Sequence, residues 1–398
     1  MVTRIGKVYI SNFLTGLVFW YGIEKLFMGS IGINAVGVGL ATALFLGFNL
    51  VFDIPLGILA DRWSRKGMLV VSALALALCS IILGTSNGLP QYILGYIFYG
   101  IYVVSTSGTY QAITYDILHE EGRSSQYSKI AGRAYALFLV GAGVANVASG
   151  FIAFHFSYRD TFFITVASCT LNAALILTIK EPTFHKAEAK ARVMTQLSEA
   201  TKALARIRLL RVLAIIMSTL AIVELFKGEF GQLYMLRYVS EPQLIGLLWA
   251  AYAFTWALGS VIAHRLRSRL TILIVATTLP FMLMAFIDNA CSLALFMLQA
   301  VASAALLNQI ETRIQENTPS SVRASILSVL SVAGRAAAIP ASFVLGWLFT
   351  RFDAFWALRF VAGIVAAILL YWVWSNRKIA AKVAPVEYDT DDRTLNNP

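Results

Sequence analysis

A few ionisable residues sit inside otherwise apolar stretches, and these are where the sequence could do chemistry. They are Glu24 and Lys25, Asp53, Arg133, Glu224 and Lys227, and Arg335. A carboxylate withdrawn from water must find a cation, face a cavity or take up a proton. Glu24 and Glu224 are therefore candidates for reversible proton binding or for holding a cationic group. The alternatives are an interfacial charge for Glu24 and a static pair with Lys227 for Glu224, since those two lie three apart on one helix face. Glu24 and Lys25 are neighbours, ~100° apart on a regular helix, so they are not expected to face one spot. Gly228 and Gly231 would allow local unwinding beside Glu229. His155 and Asp160 have a spacing found in some acyltransferases, but in a short connection. His119, His185 and His264 are scattered. No metal cluster, nucleophile elbow or phosphate-cradling glycine loop is present, so neither enzyme activity nor a cofactor is expected.

The elements that must position these groups follow from composition. The chain has 398 residues, 58% hydrophobic and only 13% charged, with a mean hydropathy of +0.72. About 25% charge is usual for a soluble domain, so a soluble enzyme, a coiled coil and a disordered chain are excluded. Apolar runs of ~20 residues recur, the length of a membrane-spanning helix. Twelve spans are predicted, at 8–28, 35–59, 67–86, 91–116, 130–154, 160–179, 209–236, 243–263, 270–287, 290–310, 325–350 and 354–375. Cys79, Cys169 and Cys291 read as small apolar core residues. The stretch from Met1 to Lys7 leads directly into an apolar run without a small-residue cleavage site, so no cleavable leader is expected.

Charge placement gives the topology. Of 32 Lys and Arg, 24 lie in or beside the termini and the even-numbered connections. Only Arg159, Arg237 and Arg351 lie in the odd-numbered ones. Both termini are therefore expected in the cytoplasm. The net charge of +11 is explained by this bias, so no nucleic acid partner is expected. The chain also repeats itself. Ala131-Gly132-Arg133-Ala134 recurs as Ala333-Gly334-Arg335-Ala336, Glu24 has its counterpart in Glu224, and Ala60-Asp61-Arg62 matches Ala263-His264-Arg265. These shifts of 200 to 203 residues divide the chain into a six-span bundle (1–180), a basic cytoplasmic linker (181–208), a second six-span bundle (209–378) and a disordered tail (379–398). Parallel repeats of this kind place a midplane site between two rocking bundles.

The connection between spans 2 and 3 reads Gly57-Ile58-Leu59-Ala60-Asp61-Arg62-Trp63-Ser64-Arg65-Lys66-Gly67. It resembles the signature of the major facilitator superfamily at that loop, with Ser64 in place of a glycine. The resemblance implies an all-α fold of twelve transmembrane helices in two pseudo-symmetric bundles. It implies that Gly57, Asp61, Arg62, Arg65 and Lys66 form a conformational latch, Asp61 bonding to the start of span 11 near 322–325 and the cations meeting Asp116. The competing reading is that these cations only set topology. Because spans 2 and 11 face each other in that superfamily, Asp53 is expected to pair with Arg335 as a gate, the alternative being that Asp53 caps a Pro-kinked helix. Arg133 faces Trp256 in the corresponding place, so no second pair is expected. Spans 1 and 7 line the cavity in that superfamily, with Trp20, Tyr21, Tyr110, Trp249, Tyr252 and Trp256 as candidate lining residues.

Asp53-Ile54-Pro55-Leu56-Gly57, Ser107-Gly108-Thr109 and Tyr115-Asp116 resemble a branch that includes bacterial drug exporters. Two departures stand against proton antiport. Tyr96 occupies the place of an arginine four residues before Gly100, and Ala145-Asn146 replaces a Gly-Pro pair. The first expectation is proton-coupled export of an amphipathic or cationic compound by alternating access. The second is uptake or facilitated diffusion of a polar or anionic solute, which Lys25, Lys227, Arg133 and Arg335 would suit. A channel, a non-transporting sensor and a membrane enzyme are the rivals from other classes. The expected partners are a small-molecule substrate, protons and the lipid bilayer, for a multi-pass monomer in the bacterial plasma membrane.

Overall fold

The computed structural model describes residues 3–182, 208–266, 269–316, 318 and 323–380. The 181–208 linker and the tail therefore lie almost wholly outside the described residues, as does part of the 322–325 partner expected for Asp61. The described chain is helical and contains no strand. Its helices are α1 Arg4–Gly16, α2 Glu24–Ser30, α3 Ala35–Arg62, α4 Arg65–Gly84, α5 Leu89–Thr106, α6 Thr109–Glu120, α7 Tyr127–His155 and α8 Tyr158–Leu177. They continue as α9 Arg208–Leu225, α10 Gly231–Met235, α11 Pro242–Ile262, α12 Leu270–Met284, α13 Ser292–Glu316, α14 Arg323–Arg351 and α15 Ala354–Ala380.

Local chemistry sets the starts. Thr3, Asn34, Ser64 and Ser157 each accept a backbone N–H from the first turn that follows, at 3.1, 3.0, 2.7 and 3.3 Å. Pro90 and Pro242 stand in the first turns of α5 and α11, where a missing N–H costs nothing. The serine at 64 is therefore the N-cap of α4.

Three predicted spans depart from single regular helices. Span 1 is α1 and α2 joined by an irregular stretch and a 3-10 turn at Tyr21–Ile23. Span 4 breaks at Gly108, whose φ of 70° lies in the left-handed region that a side chain disfavours. Span 7 holds a π turn at Phe226–Phe230 between α9 and α10. Nine helical stretches among the described residues are long and apolar enough to cross a membrane. Those covering spans 1 and 4 are not among them, and α12 is a shorter apolar helix. Cys79 and Cys169 are buried as expected. Cys291 is exposed, because it falls in the turn ahead of α13 rather than on a helix face.

The two halves of the chain meet along α3 with α14 and along α7 with α11. We call the end with the Lys- and Arg-rich connections the basic face. At the opposite face the halves close backbone to backbone. A Cβ on Gly346 would lie 2.6 Å from the Ala35 carbonyl, and one on Gly246 would lie 2.7 Å from that of Asn146. Glycine is required at both places because the obstructing atoms are backbone and cannot rotate away. Gly246→Val should hold this face apart and lower transport at least about tenfold at normal expression. Gly363→Ala, where no atom lies within 4 Å, serves as the control. Wild-type rates in Gly246→Val would remove the requirement for closure.

Candidate functional site

The breaks in spans 1 and 7 face each other and create a buried ionic cluster. Lys25 is 1% exposed, and its Nζ lies 2.9 Å from Glu24 Oε2 and 2.9 Å from Glu229 Oε2. Glu24 Oε1 accepts hydrogen bonds from the hydroxyls of Tyr92 at 2.7 Å and Tyr96 at 2.5 Å. Thr42 donates to Glu229 Oε2 at 3.2 Å. With all three groups ionised the cluster carries a net charge of −1. Its cost in an apolar core is offset by four elements converging on it, since buried ions persist only when paired and hydrogen-bonded.

The convergence of Glu24 and Lys25 corrects the sequence expectation that they cannot face one spot. Both residues have helical backbone in the first turn of α2, so the meeting is made by the side chains: the long Lys25 chain brings its ammonium back to the Glu24 carboxylate. Sequence reading also missed Glu229, Tyr92, Gln232 and Thr42 as contributors. Tyr96 was legible only as the absence of an arginine, yet its hydroxyl takes part in the cluster.

Glu224 and Lys227 pair within span 7 at 2.8 Å, and Ser303 donates to Glu224 Oε1 at 2.5 Å. The Lys227 ammonium stands 5.0 Å from the ring centre of Trp256 and 5.6 Å from that of Tyr252. Those two aromatics therefore serve as its apolar partners. Trp249 packs on Tyr252, with ring centres 5.0 Å apart. Trp20 lines neither of the two cavities described below. It is fully buried, stacked on Phe162 at 5.5 Å, and donates to Ser80 at 3.1 Å. The irregular stretch after Gly16 leads it towards α4 and α8.

Arg335 donates to Asp53 Oδ2 at 2.7 Å, joining α14 to α3 as the gate expectation required. Its repeat counterpart Arg133 is exposed and has no ion-pair partner among the described residues. In the 2–3 loop, Arg65 pairs with Asp116. Ser64 donates to Glu181 at 2.6 Å, and the Lys66 backbone N–H donates to the same oxygen at 3.3 Å. Gly57 has open space on its Cβ side. The side chains of Asp61 and Arg62 lie outside the described residues, so the helix-terminus half of the expected latch has no described geometry.

Two cavities open within the described residues, one inside the first half and one bordering the cluster. One, of about 430 Å³, is lined by Asn12, Thr15, Tyr21, Tyr99, Tyr102, Gln111 and neighbours, all uncharged. Tyr110 borders it with its hydroxyl bonded to Ser11 at 2.7 Å and Thr15 at 2.8 Å. The other, of about 260 Å³, is bordered by Glu224, Glu229 and Arg335. No group able to hold a metal ion occurs among the described residues.

Two perturbations test the pairs. Lys25→Met leaves two carboxylates facing each other and should cost about 3–5 kcal/mol of stability, read as a lowered detergent melting temperature. Adding Glu229→Leu should recover most of that loss. Strict additivity of the two changes would mean that the residues do not act as a pair. Reversing the other pair, with Asp53→Arg and Arg335→Asp together, should restore the transport lost in each single change. Failure with folded protein would dismiss that gate.

The profile of the major facilitator superfamily matches residues 8–339. An uncharacterized transporter of Buchnera aphidicola subsp. Schizaphis graminum (strain Sg) is 30% identical over 134 residues, which is 34% of this chain and 33% of that protein. Another, from Buchnera aphidicola subsp. Acyrthosiphon pisum (strain APS), is 26% identical over 134 residues, with the same shares. The match thus spans about a third of each of these curated relatives. Among solved structures, a nucleoside transporter variant superposes with a TM-score of 0.81 at 16% identity, over 94% of this chain and 100% of that one. A D-xylose–proton symporter gives 0.69 at 15%, over 93% and 97%. At such identities the likeness shows the fold alone. The family and the relatives are transporters, not enzymes. With its profile match over most of the sequence and a fold to accord with it, the chain belongs to the major facilitator superfamily.

Proposed function

We propose that the chain is a secondary transporter that carries a small, uncharged, hydrogen-bonding solute of the nucleoside or sugar class across the plasma membrane. It works by alternating access, with twelve spans and cytoplasmic termini. The observation that carries the reading is the 430 Å³ cavity, whose polar lining is tyrosine, serine, threonine and side-chain amide without a charged group. Hydroxyls and amides at these positions offer both donors and acceptors. Tyrosine rings add flat faces on which a base or a sugar ring can rest. The nucleoside and xylose transporters of the same fold agree with this class. Closure at the opposite face supports a conformation in which the cavity communicates with the cytoplasm.

The cluster of Glu24, Lys25 and Glu229 is the proposed proton site. It has one more carboxylate than cation, and a single proton makes it neutral. A second reading, export of a cationic compound, is favoured by Glu224 and Glu229 at the smaller cavity. Their existing partners argue against it. Glu229 already holds Lys25, and Glu224 already holds Lys227 and Ser303.

Proteoliposomes enclosing a pH dye separate the two. Uridine or D-xylose should enter with protons, and Glu229→Gln should abolish proton movement while leaving solute exchange. Tyr99→Phe or Gln111→Ala should weaken solute affinity about fivefold, the worth of one hydrogen bond. Proton flux driven by a lipophilic cation such as ethidium, with no movement of uridine or xylose, would establish export instead.

A further inference from the structure

Span 1 cannot satisfy its own backbone, and the way its broken hydrogen bonds are completed is uneven. Within the break, the Phe19 N–H donates to Thr165 Oγ1 at 3.0 Å, and Ser168 Oγ donates to the Leu17 carbonyl at 2.9 Å. Both partners lie on α8, in the same half of the chain as span 1. The next break is at the Lys25 N–H, which in a continuous α-helix would donate to the Tyr21 carbonyl. It does not. It donates instead to Gln232 Oε1 at 3.0 Å, and Gln232 Nε2 donates to the Tyr21 carbonyl at 2.6 Å. One side-chain amide therefore fills one missing rung, accepting from its donor and donating to its acceptor. Gln232 belongs to α10, in the other half, and is 1% exposed.

We propose that Gln232 is a positioning residue that holds span 1 open at this rung only while the opposite face is closed. The inference rests on the alternating-access part of the proposed function and not on the identity of the solute. When the halves part at that face, Thr165 and Ser168 travel with span 1, and Gln232 does not. The Lys25 N–H and the Tyr21 carbonyl are then left in an apolar core, where unpaired backbone is costly. The nearest partner of each is the other. Forming that bond converts the 3-10 turn at Tyr21–Ile23 into α-helix. The conversion moves Tyr21, which lines the larger cavity, together with Glu24 and Lys25, which form the ionic cluster. Separation of the halves, reshaping of the cavity and rearrangement of the cluster thus become one event at one hydrogen-bonded rung.

The π turn immediately before α10 supplies the reach. A π turn inserts one residue into the helical register, a device common at functional sites. Glu224 and Glu229 are five residues apart and reach different partners across it, Lys227 within the span and Lys25 in the other half. Gln232 lies three residues beyond Glu229, just past the π turn, and both side chains reach span 1 at Lys25. The amide and the carboxylate therefore approach span 1 together.

The test uses the full-length protein with Cys291 changed to serine, leaving only the buried Cys79 and Cys169. Spin labels go on the exposed Ser157 and Ser240, in opposite-face connections of the two halves. Distance distributions then read the open-to-closed ratio without any substrate. Gln232→Met removes both hydrogen bonds at similar volume and should raise that ratio about tenfold or more. Gln232→Asn, which keeps the amide but shortens its reach, should shift it in the same direction and serves if the first variant does not fold. Ser168→Ala removes a partner from the same break within one half. It should lower the melting temperature and leave the ratio within about twofold. An unchanged ratio in both Gln232 variants, or an equal shift in Ser168→Ala, would overturn the proposal. Failure of uridine or xylose to move would leave this measurement intact and would overturn only the substrate class.

Discussion

Backbone groups in a lipid core have no water to turn to, and this constraint organises the molecule. A regular helix meets it alone. Span 1 does not, because its helix stops at Gly16 and resumes only at Glu24. Each peptide group exposed by the interruption must be met by a side chain from elsewhere. The neighbours recruited for that purpose, Thr165, Ser168 and Gln232, bind the break to α8 on one side and to the other half on the other. The same interruption places Glu24 and Lys25 in a first helical turn, where the Lys25 ammonium lies between the carboxylates of Glu24 and Glu229. The ionic cluster is thus a consequence of broken secondary structure.

The halves are related in sequence yet are not used in the same way. Glu24 and Glu224 occupy corresponding places, and each holds a lysine. The first lysine reaches into the partner half and shares two carboxylates. The second stays within its own span and rests against Trp256. Arg335 crosses to Asp53, while Arg133 crosses to nothing among the described residues. Trp256 stands where Asp53 stands in the first half and takes the Lys227 ammonium instead of an arginine. A symmetric scaffold with asymmetric ion pairing gives two differently weighted contacts between the halves, one near each face.

Pairs between groups with an evident geometric relation were legible from sequence. Glu224 with Lys227 follows from helix spacing. Asp53 with Arg335, and Arg65 with Asp116, follow from the order of spans in the superfamily. The cluster was illegible because two local irregularities make it. Nothing in Tyr21-Gly22-Ile23 marks a 3-10 turn, and Phe226-Lys227-Gly228-Glu229-Phe230 carries only a glycine as a hint of its π turn. A regular helix points Glu24 and Lys25 apart and sends Glu229 away from the face of Glu224, so ordinary periodicity argues against the observed meeting. Trp20 packs against α4 and α8 because the chain changes direction ahead of it.

The first of the departures set against proton antiport, Tyr96, acquires a physical meaning in this setting. An arginine in the place of Tyr96 would add a cation to a cluster that already holds Lys25. Glu24, Glu229 and two cations would then be neutral without a proton. Tyrosine supplies a hydrogen bond to Glu24 and no charge, so the cluster keeps one carboxylate in excess. Lys25, the residue after Glu24, provides the cation from span 1 itself. From the first turn of α2 the Lys25 ammonium also reaches Glu229, so the same lysine makes the ionic contact between the halves.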